Sequence, residues 1–139
     1  MSFTLYALLS KEESPPMSAE DLMSRLDAFF TRTTDFSSRF ETIPFSNNKS
    51  VRLEWSGWSV VLTYSKGEEA KDDSIEINKR LGKSAPAALE RIDRRIHVFF
   101  ADDANQIHTT QIVDVMAFLE SIDGAIIFDP QQNKLLNVS

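Results

Sequence analysis

The polar residues best placed to perform chemistry lie in one predicted loop. They are Asp102, Asp103, Asn105 and His108, which follow a predicted strand at 96–100. Two carboxylates and an imidazole can bind a divalent ion, or act as a base and the group that orients it. Their spacing matches no metal-binding motif, and turns and helix caps use the same residue types. We therefore assign no metal here and keep a metal site of Asp102, Asp103 and His108 as the alternative.

Residue types that the chain lacks exclude most of the common catalytic chemistries. It contains no cysteine, so a disulfide framework, a thiolate metal site and a thiol nucleophile are ruled out. None of its serines lies in a GxSxG pattern, and it has only two histidines, His97 and His108. The four glycines form no GxGxxG or GxxxxGKS/T motif for nucleotide phosphates. The sequence therefore predicts a protein that is not an enzyme and that needs no cofactor.

A run of acidic residues is the strongest charge feature of the sequence. Its members are Glu68, Glu69, Asp72, Asp73 and Glu76, with Lys71 as the one positive charge among them. The run is either a solvated loop or a negative surface that docks a basic protein or imitates nucleic-acid phosphates. The whole chain has 15 basic and 21 acidic residues, a formal net charge of −6. This balance argues against direct binding of nucleic acid.

Two tryptophans supply the aromatic side chains that a tight protein interface needs. Trp55 and Trp58 flank a Ser-Gly turn between two predicted strands, so we expect them to lie near each other. Either both pack against helices, or one is an exposed contact anchor that Tyr64 and Phe45 extend. The predicted partner-binding residues are Trp55, Trp58, Glu68, Glu69, Asp72, Asp73 and Glu76.

The apolar spacing predicts a single α+β domain over residues 1–139, with the order β-α-β-β-β-α-β-α-β-β. The strands are expected at 3–9, 39–45, 51–55, 58–64, 96–100, 125–128 and 135–138, and the helices after the Ser18 cap, after the Ser84 cap and from Thr109. Such an order favours helices on one face of a mostly antiparallel or mixed sheet. The strands at 96–100 and 125–128, with the helix between them, are expected to form a parallel crossover.

Side chains around the fifth predicted strand are expected to alternate between its two faces. Arg94 and Arg95 should therefore point apart, each pairing with Glu90 or Asp93. Phe99 is assigned to the core by its spacing.

The amino-terminal stretch does not have the pattern of a signal peptide. Its apolar part, 3–9, is short and is followed by charged residues rather than by a small-residue cleavage site. The sequence has no run of about 18 apolar residues that could span a bilayer. We therefore expect a full-length cytoplasmic protein with no membrane partner.

In size, acidic charge, lack of cysteine and order of elements, the whole chain resembles the small cytosolic α+β proteins that bacteria use as immunity partners of secreted toxins. The resemblance implies that it inhibits a cognate toxin stoichiometrically, by covering the toxin's active site. The partner that we expect is a toxin domain with a basic surface. Two alternatives stay open. One is a homo-oligomeric ligand-binding or regulatory domain, with a homodimer as its simplest form. The other is a metal-assisted hydrolase that uses the 102–108 loop.

Overall fold

The computed structural model describes residues 3–10, 14–15, 17–42 and 49–137. In that part of the chain, one sheet of seven strands has the order β2-β3-β4-β5-β1-β6-β7, and every neighbouring pair is antiparallel. The strands are β1 (Phe3–Ser10), β2 (Ser37–Thr42), β3 (Lys49–Trp55), β4 (Trp58–Lys66), β5 (Ile92–Phe100), β6 (Ile126–Asp129) and β7 (Lys134–Leu135). The helices are α1 (Ala19–Phe29), α2 (Glu68–Leu81) and α3 (Thr109–Glu120). The α+β class predicted from the sequence is confirmed.

Strand β1 lies inside the sheet and separates two strands that are distant in sequence. It pairs antiparallel with β5 on one side and with β6 on the other, so β5 and β6 run parallel to each other. The predicted crossover from β5 through α3 to β6 therefore has the expected direction, but β1 lies between its two strands. This arrangement gives the sheet a well-paired centre with many long-range contacts.

Two of the helices pack on one face of the sheet and form the larger core with it. The sheet contributes Leu5, Ala7, Leu9, Val51, Leu53, Val60, Leu62, Ile96, Val98 and Phe100, and the helices α1 and α3 contribute Leu22, Leu26, Val115, Phe118 and Leu119. Helix α1 begins at the capping box that the sequence predicts. The Ser18 side chain accepts a hydrogen bond from the Asp21 amide at 3.1 Å, and the Asp21 carboxylate accepts one from the Ser18 amide.

Helix α2 lies on the opposite face, so the prediction that all helices pack on one face is wrong for this helix. A second, smaller core forms there from Leu8, Ile77, Leu89, Ile92, Ile126 and Phe128. These side chains alternate along β1 and β6 with those of the larger core, as opposite faces of a strand require. Helices thus cover both faces, although α2 covers only part of its own.

The second helix also occupies a different segment from the one that the sequence predicts. The segment after Ser84 forms only short 3-10 turns, at Gly82–Ser84 and Ala87–Arg91, and the regular helix lies earlier, at Glu68–Leu81. Acidic residues in its first turn and Lys79 and Arg80 in its last turn both complement the helix dipole. The acidic run is therefore part of a helix, not a solvated loop.

At the two edges of the sheet the strands differ in length from the prediction: of the last predicted strand, 135–138, only residue 135 lies in β7, and residues 136 and 137 do not. β2 is an edge strand, and residues 43–45 of the strand predicted at 39–45 lie outside the described residues. Within the described ranges, no helix is both long and apolar enough to cross a membrane.

Candidate functional site

The acidic residues of α2 form a continuous ridge on the helix surface. Ala70, Ser74 and Ile77 are buried against the sheet, which fixes how the helix is rotated. The helical period then directs the other side chains outward or sideways. Glu68, Glu69, Asp72 and Glu76 are exposed and Asp73 is half-buried; these five residues are hereafter the acidic ridge. The structure thus brings together all five acidic residues that the sequence assigns to partner binding.

Arg95 of β5 fastens the ridge to the sheet. Its guanidinium pairs with Glu69 at 3.2 Å and with the Asp73 carboxylate, and it lies over the Tyr6 ring, 5.9 Å from the ring centre. The Arg95 side chain is largely buried, while Glu69 is exposed. Partial burial raises the pKa of Asp73, Arg95 opposes this effect, and the neighbouring Glu69 and Asp72 add to it. The ridge is therefore held in a fixed position above β5.

Beside the ridge, part of the sheet face is uncovered. Arg95, His97 and Phe99 alternate along β5 with residues of the larger core, so all three point to the α2 side. Helix α2 covers Arg95 but does not extend along β5 as far as Phe99, which is 43% exposed. The register places Val61 on one side of Phe99 and Thr4 on the other. We name Thr4, Val61, His97 and Phe99 the open sheet face.

The sequence assigns Phe99 to the core, and this prediction is wrong. Its strand neighbours Val98 and Phe100 are both buried, so a run of apolar residues conceals that only one side of β5 is covered at this height. His97 and Phe99 alternate along β5 with Ile96, Val98 and Phe100, which are all apolar. The polar His97 is the one sequence signal that its face of the strand is less buried. Phe99 is therefore an exposed aromatic residue on the same sheet face as the acidic ridge, four residues beyond Arg95 on β5.

His97 is the residue of the open sheet face nearest to Arg95, and its ring lies beside the Tyr6 ring, tilted by 33° with 4.8 Å between the ring centres. Burial lowers the pKa of His97 below its ordinary value of 6.5, and the nearby Arg95 acts in the same direction. The unfolded chain therefore binds a proton at His97 before the folded one does. This residue favours the folded state above the unfolded pKa, and the contribution is lost as the pH falls through the folded pKa.

We accordingly expect the free energy of unfolding to fall between about pH 7 and pH 5, and the fall to be smaller in a His97→Gln variant. Urea titrations at several pH values measure this difference. An NMR titration of the ring protons should place the His97 midpoint below 6.5. A midpoint at or above that value would contradict the burial argument.

The two tryptophans are both core residues, so the alternative in which both pack inside agrees with the structure, and the one in which one of them is an exposed contact anchor does not. Trp55 is 6% and Trp58 5% exposed, with ring centres 5.7 Å apart. Trp55 packs on Phe30, the C-cap residue of α1, and the Trp58 indole nitrogen donates a hydrogen bond to the Ala101 carbonyl at 3.1 Å. Tyr64 is half-buried beside the larger core, and Phe45 lies outside the described residues. The hairpin therefore offers no exposed tryptophan to a partner.

The 102–108 loop is built as a helix entry rather than as an ion site. Both Asp103 carboxylate oxygens accept backbone hydrogen bonds, from Ile107 at 3.1 Å and from His108 at 3.0 Å. The His108 ring stacks on Trp58 with 4.7 Å between the ring centres. Asp102 is exposed on the same loop. Across the described ranges no three His, Asp or Glu side chains converge in a way that could hold a metal, so Asp102, Asp103 and His108 do not form a metal site here.

The fold and the site define an α+β protein that carries an acidic helix and an uncovered section of sheet side by side on one face. Comparisons with protein-family models, with curated proteins and with solved structures found no match. The proposal that follows therefore depends on the geometry and chemistry of this chain alone.

Proposed function

We propose that this chain is a non-catalytic binding module that neutralises a bacterial toxin in the cytoplasm by covering a basic surface of it. The single observation that carries the proposal is that the acidic ridge and the exposed Phe99 lie on the same face of the sheet, with Arg95, the partner of Glu69 and Asp73, four residues before Phe99 on β5. Charge steers and orients a partner, and an apolar anchor in the contact supplies much of the binding energy. The proposed contact face combines both elements.

The charge of the ridge is suited to a basic partner. Glu69 and Asp73 are already paired with Arg95, whereas Glu68, Asp72 and Glu76 project from the solvent side of the helix. Exposed carboxylates mainly increase the rate of association, and salt screens their effect. The proposed complex should accordingly form faster at low ionic strength.

The apolar part of the contact is assigned to Phe99, in place of the buried tryptophans. Its ring stands on a strand in the middle of the sheet, so its backbone is held in position before a partner arrives. A rigid anchor loses little conformational entropy on binding. A partner that matches this face would present Lys or Arg side chains next to an apolar residue or cleft.

The proposal is tested with the protein encoded by the gene adjacent to this one, since an immunity protein is ordinarily encoded beside its toxin. Induced alone in a bacterial host, that protein should arrest growth, and co-expression of this chain should relieve the arrest. The purified pair should form a one-to-one complex. Growth arrest without relief, or no complex at about 10 µM of each protein, would contradict the proposal.

The ridge makes a specific prediction about this complex. Replacing Asp72 and Glu76 with lysine should slow association by about tenfold at low salt, because the steering charge is reversed. The matched control replaces Glu120 and Asp123 with lysine; both are exposed, and the change in net charge is the same. Stopped-flow association rates measure the effect. Equal slowing in the two variants would show that only net charge matters and would remove the ridge from the interface.

Phe99 provides an independent variant of the same experiment. Phe99→Ala should weaken the complex by about tenfold or more while leaving the fold intact. Phe29→Ala is the control, because Phe29 is 44% exposed but lies on α1, on the other face of the sheet. Calorimetric titration distinguishes the two variants. Unchanged affinity for Phe99→Ala would place the contact elsewhere.

A further inference from the structure

Strand β2 ends the sheet and presents one free edge. Its six residues, Ser37–Thr42, pair with β3 in an unbroken register, and no strand follows β2 in the sheet order of the described residues. An edge strand has a row of backbone N–H and C=O groups that can pair with another strand. A regular edge of this length is a template for antiparallel pairing.

The order of side chains along β2 is complementary to itself. When two copies of the strand run antiparallel with Phe40 opposite Phe40, Arg39 of each copy lies opposite Glu41 of the other. Ser38 then lies opposite Thr42. Directly opposite residues share a sheet face, and opposite charges in this position attract. We propose that two copies of this chain associate through their β2 strands about a two-fold axis, and so join their sheets into one.

The side chains that this pairing uses are accessible. Phe40 is 41% exposed, and the Arg39 and Glu41 side chains are 64% and 38% exposed. Within one copy, Arg39 bonds to Glu54 at 2.9 Å and Arg52 to Glu41 at 3.3 Å. Pairing of two copies would extend these contacts into a row of alternating charges across the joint. The two Phe40 rings would meet on the other face of the sheet.

The helix nearest to the edge leaves room for the second copy. Helix α1 contacts β2, β3 and β4, so it is centred over β3 rather than over the edge. In the joined sheet the two β3 strands are three strand spacings apart, about 14 Å. Packed helices need only about 8–10 Å between their axes. The two α1 helices would therefore not collide.

This pairing predicts a monomer–dimer equilibrium that charge reversal controls. Sedimentation velocity between about 10 and 500 µM should show a dimer fraction that increases with concentration. In a dimer of the Arg39→Glu variant, position 39 of each copy lies opposite Glu41 of the other, so two pairs of acidic residues face each other. In a dimer of the Glu41→Arg variant, two pairs of basic residues face each other in the same way. Each single variant should raise the dimer dissociation constant by about tenfold or more.

Mixing the two single variants is the decisive experiment. A chain with two acidic residues at positions 39 and 41 is complementary to a chain with two basic ones, so the mixture should form a heterodimer. The combined variant Arg39→Glu/Glu41→Arg should dimerise like the original protein. The single variants also place like charges next to Glu54 or Arg52 of β3 and could destabilise the chain itself. Those contacts are still present in the mixture and in the combined variant. Recovery of the dimer in either case therefore cannot be explained by the stability of one chain.

Lys79→Glu is the control, since it changes net charge as Arg39→Glu does but lies at the exposed end of α2. Its dimerisation should equal that of the original protein. Hydrogen exchange should show alternate β2 amides becoming protected as concentration increases. A monomer at all concentrations, single variants that dimerise normally, or a mixture that stays monomeric would each overturn the proposal. The proposed dimer does not depend on the proposed function, because two strands separate β2 from β5, the strand that carries Phe99.

Discussion

Replacement of Arg94 with methionine is expected to lower the free energy of unfolding by about 3–4 kcal/mol, a large part of the stability of a domain of this size. Arg94 is 7% exposed on β5. Its guanidinium donates hydrogen bonds to three backbone carbonyls: Ser10 at 2.6 Å, Ser14 at 2.9 Å and Pro15 at 2.5 Å. Methionine fills similar space but donates no hydrogen bond, so the Ser14 and Pro15 carbonyls would lose the guanidinium donor, while the Ser10 carbonyl would keep the hydrogen bond from the Ser14 amide.

Urea unfolding monitored by tryptophan fluorescence measures this effect, with Lys79→Met as the control for removing a positive charge from an exposed position. The control should change the free energy of unfolding by less than about 0.5 kcal/mol. Arg94→Lys should be intermediate, since an ammonium group keeps the charge but cannot reach three carbonyls with the geometry of a guanidinium. Full stability in Arg94→Met would mean that water replaces the guanidinium at little cost.

The partners of Arg94 show where sequence reasoning is limited. Asp93 lies within 3.6 Å of Arg94, as the sequence predicts, but the three carbonyls come from a segment 79 to 84 residues earlier. Local spacing identifies nearest neighbours and the direction of a side chain on a strand. It contains no signal for contacts that form only when β1 pairs with β5.

Local signals succeed where the interaction itself is local. The capping box of α1 joins Ser18 to a residue three positions later, and the β3–β4 hairpin places Trp55 opposite Trp58 across a two-residue turn. Both features are predictable because the chain segment contains all the groups involved. The seven strands and the helices α1 and α3 follow from such signals, whereas the second helix lies in an earlier segment than the predicted one.

Helix α2 is harder to predict because the surface beneath it is partly polar. Its buried positions include Ala70 and Ser74, which are small, and they face a part of the sheet that contains Ser65 and Arg95. The apolar period that marks a helix is therefore weak, and the acidic residues dominate the segment. The acidic ridge could be identified as a charge cluster from the sequence, but its position on the same sheet face as Phe99 required the fold.

The Trp58 side chain provides the second large expected effect. Trp58→Ala should lower the free energy of unfolding by about 3–5 kcal/mol, because a large buried ring is removed and a cavity remains. The ring contacts Trp55 and Phe100, and it stacks on His108 at the entry to α3. Its loss should also loosen the 102–108 loop, since the indole hydrogen bond to Ala101 disappears with it.

Trp58→Phe separates the contribution of the buried ring from that of the hydrogen bond to Ala101, because it keeps an aromatic ring and removes the indole donor. We expect it to cost about 1–2 kcal/mol, less than the alanine variant, with most of the loss from the unpaired carbonyl of Ala101. Thermal and urea unfolding provide the comparison, and hydrogen exchange reports whether the first turn of α3 opens. A surface role for Trp58 predicts the opposite pattern, in which alanine leaves stability unchanged and weakens only a complex. An intact, stable Trp58→Ala protein would therefore return this residue to the list of candidate contacts.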